Sequence, residues 1–138
     1  MFENRDFLYG EETHKIIGAA MKVHRVLRCG FTEKVYQDAL EVEFKHSGIP
    51  FLREPALHAT YEGVVLASEF RPDFICYDKI IVELKAVQEL EDWHKAQAMN
   101  YAKLAGYQVA LLFNFGALSL EFERLVTSQI ATAQIHVS

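Results

Sequence analysis

The sequence predicts an α/β (α+β) domain in which helices flank one mixed central β-sheet. Two patterns lead to this fold class. Apolar residues recur every three or four positions in three stretches, as in amphipathic helices, and the segments between them are short, rich in β-branched and aromatic residues and bounded by turn residues. The chain has 138 residues, 51% of them hydrophobic and 24% charged, so we expect one globular domain with one core.

Three helices are predicted from the spacing of apolar residues. The first covers residues 11–27 and stops before Gly30. The second begins at Thr32, a suitable N-cap residue, and the two form a helical hairpin. The third covers residues 89–105, where Gly106 follows as the glycine that commonly ends a helix.

The other segments predict short strands bounded by turns. They cover residues 57–61, 64–70, 74–77, 80–87, 107–113 and 118–125. In outline, the order of elements is α-α-β-β-β-α-β-β. Residues 127–138 are expected to form a tail or a short helix, which leaves the core of the single domain at about residues 11–126.

Composition and charge exclude several classes of protein. The net charge of −5 gives no overall positive field for non-specific binding of nucleic acid or membranes. Cys29 and Cys76 lack the spacing of a zinc site or a disulfide framework. No apolar stretch approaches the roughly 20 residues of a membrane span, and the first residues do not form a secretory signal. We therefore expect a cytoplasmic protein without membrane contacts.

Two carboxylates are expected to face each other on neighbouring strands. If residues 77–79 form the tip of a hairpin centred on Asp78, Asp73 lies opposite Glu83. Lys85 shares the face of Glu83 because side chains alternate along a strand. Opposed like charges are destabilising, but Mg²⁺ held by the two carboxylates, with the backbone carbonyl of Leu84 as a further ligand, would compensate them. The alternative is an acid paired with lysine on a solvated sheet face.

Three motifs together resemble a known group of enzymes. Asp73, the sequence Glu83-Leu84-Lys85 and the segment Gln97-Ala98-Met99-Asn100-Tyr101 resemble the PD-(D/E)xK nuclease superfamily, including its Gln-x-x-x-Tyr helix. The segment Gly30-Phe31-Thr32-Glu33-Lys34-Val35-Tyr36 resembles the signature of the GxxExxY family, a group of small prokaryotic proteins placed in that superfamily. The resemblance covers about residues 11–126.

This resemblance implies a restriction-endonuclease-like core that hydrolyses phosphodiester bonds in DNA with Mg²⁺ or Mn²⁺. Asp73 and Glu83 would bind the metal, and Lys85 would be the catalytic lysine. Glu33 would be an auxiliary acid near the start of the second helix, with a catalytic and a metal-binding role.

Four residues are predicted to contact substrate. Gln97 and Tyr101 share one face of the third helix, although Tyr101 also suits a core position. Tyr36 lies one turn from Glu33. Arg25 belongs to a basic stripe that either follows a nucleic-acid backbone or is a solvated helix face. The stripe contains His14, Lys15, Lys22, His24, Arg25, Arg28 and Lys34.

Other interpretations stay open at this stage. His24 suits a structural role better than a ligand role. Trp93 is expected to fill the core, with base stacking as the alternative. The whole chain could instead be a nuclease-fold binding or assembly module that acts through a protein or nucleic-acid partner, including as a homodimer, or a nuclease that acts on RNA.

Overall fold

The structure, a computed structural model, describes residues 8–127 and the backbone of residues 134–137. In these residues, two helices precede a group of strands, a third helix and a second group of strands, as predicted. The elements are α1 (Gly10–Leu27), α2 (Glu33–His46), β1 (Phe51–Arg53), β2 (Leu57–Tyr61), β3 (Val64–Phe70), β4 (Phe74–Cys76), β5 (Ile80–Lys85), α3 (Asp92–Ala105), β6 (Val109–Asn114), β7 (Glu121–Val126) and β8 (Gln134–Val137).

The central sheet has five strands in the described residues, in the order β1-β4-β5-β6-β7. Strands β5 and β6 are parallel, and the other neighbours are antiparallel. The sheet is therefore mixed, as predicted, and the parallel pair is connected through α3.

A second sheet has the order β3-β2-β8 and is antiparallel. Strand β8 pairs with β2 in the segment where the sequence predicted a tail or a short helix. Residues 128–133 and 138, which belong to the same prediction, lie outside the described residues. The short strand β1 follows Pro50 and was not predicted.

Helices cover both faces of the central sheet. On one face, α1 and α2 pack against alternate residues of β5, namely Ile80, Val82 and Leu84. On the other face, α3 packs on Ile81 through Ala98 and Ala102. The alternation predicted for β5 is therefore confirmed, and Glu83 and Lys85 fall on the face that α3 covers.

Helix α3 begins at Asp92, three residues later than predicted. Glu91 is its N-cap residue, and a capping box joins the side chains and backbones of Glu91 and His94. Gly106 ends the helix in the left-handed conformation, with φ 77°, as predicted. Within the described residues, no helix is both long and apolar enough to cross a membrane.

Candidate active site

The β4–β5 hairpin has the predicted register. Phe74 pairs with Val82 and Cys76 with Ile80, so the next pair in this register is Asp73 and Glu83. The tip contains Tyr77 and Asp78 with φ of 56° and 59°, and the Lys79 N–H donates to Cys76 O at 3.1 Å. The turn therefore places two acids opposite each other at the far end of the hairpin.

Backbone and side-chain N–H groups hold both carboxylates in place. The Leu84 N–H donates to Asp73 Oδ2 at 2.7 Å, and the Asp73 N–H donates to Glu83 Oε1 at 2.8 Å. Gln37 Nε2 donates to Asp73 Oδ1 at 3.3 Å. In the described residues, Glu83 Oε2 accepts no hydrogen bond, so this oxygen is available to a ligand.

Burial and mutual repulsion make the pair hard to ionise completely. Burial raises the pKa of Glu83 to about 8, and the charge of Asp73 adds to the effect. Burial likewise raises the pKa of Asp73 to about 6, against the lowering effect of the Leu84 N–H. Lys85 lowers both pKa values through its positive charge. A cation between the carboxylates would favour their ionised forms.

Glu33 is brought towards this pair by the first turn of α2. Its side chain is exposed, and its negative charge raises the pKa of both Asp73 and Glu83. In the described part of the chain, however, no three His, Cys, Asp or Glu side chains are grouped closely enough to hold a metal ion. The structure therefore places Glu33 near the two acids without joining it to them as a third ligand.

Gln37 is a site residue that the sequence analysis missed. It is 4% exposed and lies one helical turn after Glu33. Its Nε2 bonds to Asp73, and its Oε1 accepts a hydrogen bond from Arg53 at 3.0 Å. Arginine can only donate, so the amide oxygen must face Arg53 and the amide nitrogen must face Asp73. The i, i+4 spacing from Glu33 was the available sequence signal.

Lys85 and Tyr101 lie on the α3 side of the sheet. Nζ of Lys85 is 5.9 Å from the ring centroid of Trp93. The Tyr101 ring stacks on Phe70 with centroids 4.7 Å apart, and burial followed by the charges of Glu83 and Asp73 raises its pKa. Gln97 lies partly exposed one turn earlier on α3. Both predicted residues of this helix are thus on the element that covers the face of Glu83 and Lys85.

Tyr36 does not fit the predicted contact with substrate. It is fully buried, and its ring stacks on Phe115 at 4.7 Å. Its hydroxyl donates to Arg28 O at 2.5 Å and accepts from the Phe31 N–H at 3.2 Å. Tyr36 therefore fixes the turn between α1 and α2 and has no free polar group to offer a ligand.

Apart from the buried His24, the residues of the basic stripe are exposed, and two of them are paired with acids. Lys22 pairs with Glu43 at 3.3 Å, and Lys34 pairs with Glu54 at 3.8 Å. Arg25 is exposed in the last turn of α1, and among the described residues no contact joins it to the carboxylates. For these two lysines, the ion pairs favour the interpretation as a solvated helix face.

Two further predictions concern His24 and Trp93. His24 is buried and donates from Nε2 to Ala117 O at 2.9 Å, which agrees with a structural role. Trp93 was expected in the core, but 59% of it is exposed. Because α3 begins at Asp92, Trp93 lies in the first turn of the helix, and its ring contacts His94 and Lys85 rather than the core.

The donor set suits a hard divalent cation. Asp73 and Glu83 supply carboxylate oxygens from adjacent strands, and Mg²⁺ and Mn²⁺ prefer oxygen ligands of this kind. Leu84, whose carbonyl is the predicted third ligand, donates its N–H to Asp73. This hydrogen bond holds the backbone of Leu84 beside one of the two acids. The positive charge of the ion would offset the energetic cost of burying these two carboxylates and placing them opposite each other.

Comparison with protein families agrees with this geometry. The family model of the PD-(D/E)XK nuclease superfamily matches residues 10–125. The chain belongs to the PD-(D/E)XK nuclease superfamily. Its mixed sheet with helices on both faces is consistent with a restriction-endonuclease-like fold. No curated protein and no solved structure is similar enough to count as a match. The finer resemblance to the GxxExxY family stays a prediction.

Proposed function

We propose that this PD-(D/E)XK protein is a nuclease that hydrolyses phosphodiester bonds in DNA with Mg²⁺ or Mn²⁺. The observation that carries the proposal is the opposed pair Asp73 and Glu83, with Lys85 two residues along the same face of β5. Two opposed acids, of which Glu83 is buried and Asp73 partly buried, are costly in the absence of a compensating charge. A cation site explains why the chain keeps them.

Each residue then has a distinct task. Asp73 and Glu83 would hold the ion, with the Leu84 carbonyl as a further ligand. When bound, the ion supplies a water of lowered pKa and neutralises charge on the phosphate. Lys85 would stabilise the negative charge that develops on the phosphate during displacement. Glu33 would orient a water or support a second ion.

Substrate contacts are proposed on α3. Gln97 and Tyr101 lie on the helix that covers the face of Glu83 and Lys85, and the Tyr101 hydroxyl is protonated at neutral pH and can donate a hydrogen bond. Arg25 would contact the nucleic-acid backbone farther from the cleaved bond. Tyr36 has no part in substrate binding because its hydroxyl is already bonded within the core.

The test is cleavage of single- and double-stranded DNA and RNA in Mg²⁺, in Mn²⁺ and in a chelator. We expect cleavage of DNA that needs the cation and is lost in D73N and K85M. Asp78→Asn is the matched control, because Asp78 is an exposed acid at the tip of the same hairpin. This substitution should leave cleavage unchanged. Cleavage by D73N equal to that of wild type would contradict the proposal. Binding of nucleic acid without cleavage would favour a binding module.

A further inference from the structure

The single tryptophan of the chain lies exposed beside the proposed catalytic lysine. Trp93 occupies the second residue of α3, and 59% of it is open to solvent. The Nζ of Lys85 is 5.9 Å from the centroid of its ring. Because burial of a large aromatic side chain is strongly favourable, an indole left open beside a cation suggests a ligand that covers both.

Neighbouring residues hold the ring in place. The rings of Trp93 and His94 have centroids 4.0 Å apart, and His94 is 4% exposed. Nδ1 of His94 accepts a hydrogen bond from the Glu91 N–H at 2.9 Å, which closes the capping box of α3. A supported ring loses little conformational entropy when a ligand stacks on it, so binding costs less.

We infer that Trp93 is a stacking platform for an unpaired base of the substrate, next to the phosphate that Lys85 contacts. The inference rests on the proposed nuclease function and names its substrate class. Stacking of a base on an aromatic ring is favourable whatever the base. Inside a duplex both faces of a base are already covered, so the base on Trp93 belongs to a single strand, a strand end or a locally opened duplex.

The charges around Trp93 favour stacking over attraction of phosphate. Glu89, Glu91 and Asp92 precede it in the chain, and these acids repel a nucleic-acid backbone. The energy that Trp93 contributes should therefore not depend on salt, whereas phosphate contacts weaken steeply as salt rises. This difference separates the effect of Trp93 from that of the lysines and arginines.

Tryptophan fluorescence of the full chain, excited where tyrosine does not absorb, reports on this ring alone, because Trp93 is the only tryptophan. The probe is oligothymidylate, added in Ca²⁺ buffer so that Mg²⁺-dependent cleavage does not intervene. We expect a saturable quenching of the emission with the single strand and a smaller change with a duplex of the same length. A matched oligouridylate measures whether RNA is bound as well as DNA.

Substitution measures the size of the effect with fluorescently labelled oligothymidylate. Trp93→Ala should weaken binding by roughly 5- to 150-fold, by the same factor at about 50 and about 200 mM salt, and Trp93→Phe should restore most of the affinity. Tyr61→Ala is the matched control, since Tyr61 is 61% exposed at the end of β2, and it should bind like wild type. Thermal denaturation of each variant checks the fold.

The outcomes distinguish this inference from the proposed function. If Trp93→Ala binds as tightly as Tyr61→Ala and the wild-type emission does not respond to oligothymidylate, the stacking platform is ruled out, even where the wild type cleaves DNA. If the wild type neither binds nor cuts any nucleic acid, the nuclease proposal and the stacking platform fail together.

Discussion

At the scale of single residues, the protonation of Asp73 and Glu83 makes the stability of the protein depend on pH. Burial raises the pKa of both, to about 6 for Asp73 and about 8 for Glu83, and the charge of Asp73 adds to the effect on Glu83. Glu12 and Glu41 are partly buried acids whose pKa is lowered by hydrogen bonds from Lys79 and Arg53. The stability that these pairs contribute is lost only at more acidic pH. Between pH 5 and pH 8 the pair of Asp73 and Glu83 therefore contributes to the pH dependence of stability, and a variant without the Glu83 carboxylate isolates that contribution.

We expect the metal-free protein to lose stability as pH rises from 5 to 8. In this range the folded chain retains a proton on the pair that the unfolded chain has released, so the free energy of unfolding falls with rising pH. The loss should be on the order of 1–3 kcal/mol. Urea denaturation at several pH values in a chelator measures it. Glu83→Gln should show a flatter profile, and an equally steep profile in that variant would contradict the assignment.

The hydroxyl of Tyr36 should matter for stability and not for the site. Tyr36→Phe removes the bonds to Arg28 O and the Phe31 N–H but keeps the stacked ring. We expect a loss of about 1–2 kcal/mol in the free energy of unfolding, measured by urea denaturation. Affinity for Mn²⁺, measured by calorimetry, should stay unchanged. A selective loss of metal or DNA binding in this variant would instead mean that the Tyr36 hydroxyl takes part in the site.

At the scale of elements, α2 supports β4 through Gln37. Arg53, on β1, donates to Gln37 and also pairs with Asp38 and Glu41 at 2.7 Å each. These contacts fix the orientation of the Gln37 amide, which in turn donates to Asp73. A helix and an edge strand thus position an acid that belongs to a third element.

Gln37→Ala is expected to weaken binding of Mn²⁺ by roughly 10-fold, the lower end of the effect of partners that orient metal ligands. Calorimetric titration of the metal measures the change. Asp38→Asn is the control, because it removes an ion pair of the same arginine on the exposed side of α2 and leaves the amide in place. Equal effects of both substitutions would mean that Gln37 acts only through general stability.

The loop after β6 depends on Gly116. A Cβ at this position would overlap the backbone of Val87, so Gly116→Ala should destabilise the fold by about 1–3 kcal/mol. Gly18→Ala is the contrasting case, since a Cβ there meets nothing within 4 Å and lies in the middle of α1, where alanine should stabilise by about 0.5–1 kcal/mol. If the loop packs as described, thermal or urea denaturation should show a lower free energy of unfolding for Gly116→Ala and a higher one for Gly18→Ala.

At the scale of the whole molecule, the proposed ion should act as a stabilising ligand. Under the proposal it would bind the folded chain, where the two strands meet, and not the unfolded one. At a concentration of about 100 times its Kd it should add about 2.7 kcal/mol to the free energy of unfolding. We expect Mg²⁺ or Mn²⁺ to raise Tm and a chelator to lower it, as measured by calorimetry. Asp73→Asn should abolish the shift, and a shift of the same size in that variant would place the ion elsewhere.

Local signals predicted much of this molecule. The turn at residues 77–79 gave the pairing of β4 with β5, and the bounds of β2 and β3 agree with prediction because their turn residues are distinct. The position of Trp93 depended on where α3 starts, and the role of Tyr36 depended on backbone groups that it meets only in the folded chain. The link from Arg53 to Gln37 joins residues 16 positions apart, a contact that no periodicity indicates.

The register of the β4–β5 hairpin has a consequence for the newly made chain. A slip of one residue would turn Glu83 to the opposite face of the sheet, so a chain with a mispaired hairpin carries all the site residues and yet has no site. Helix α3 and β6, which follow in the sequence, must also be synthesised before β5 gains its parallel partner. Under the proposed function, an unfinished or misfolded copy is therefore harmless to the DNA around it.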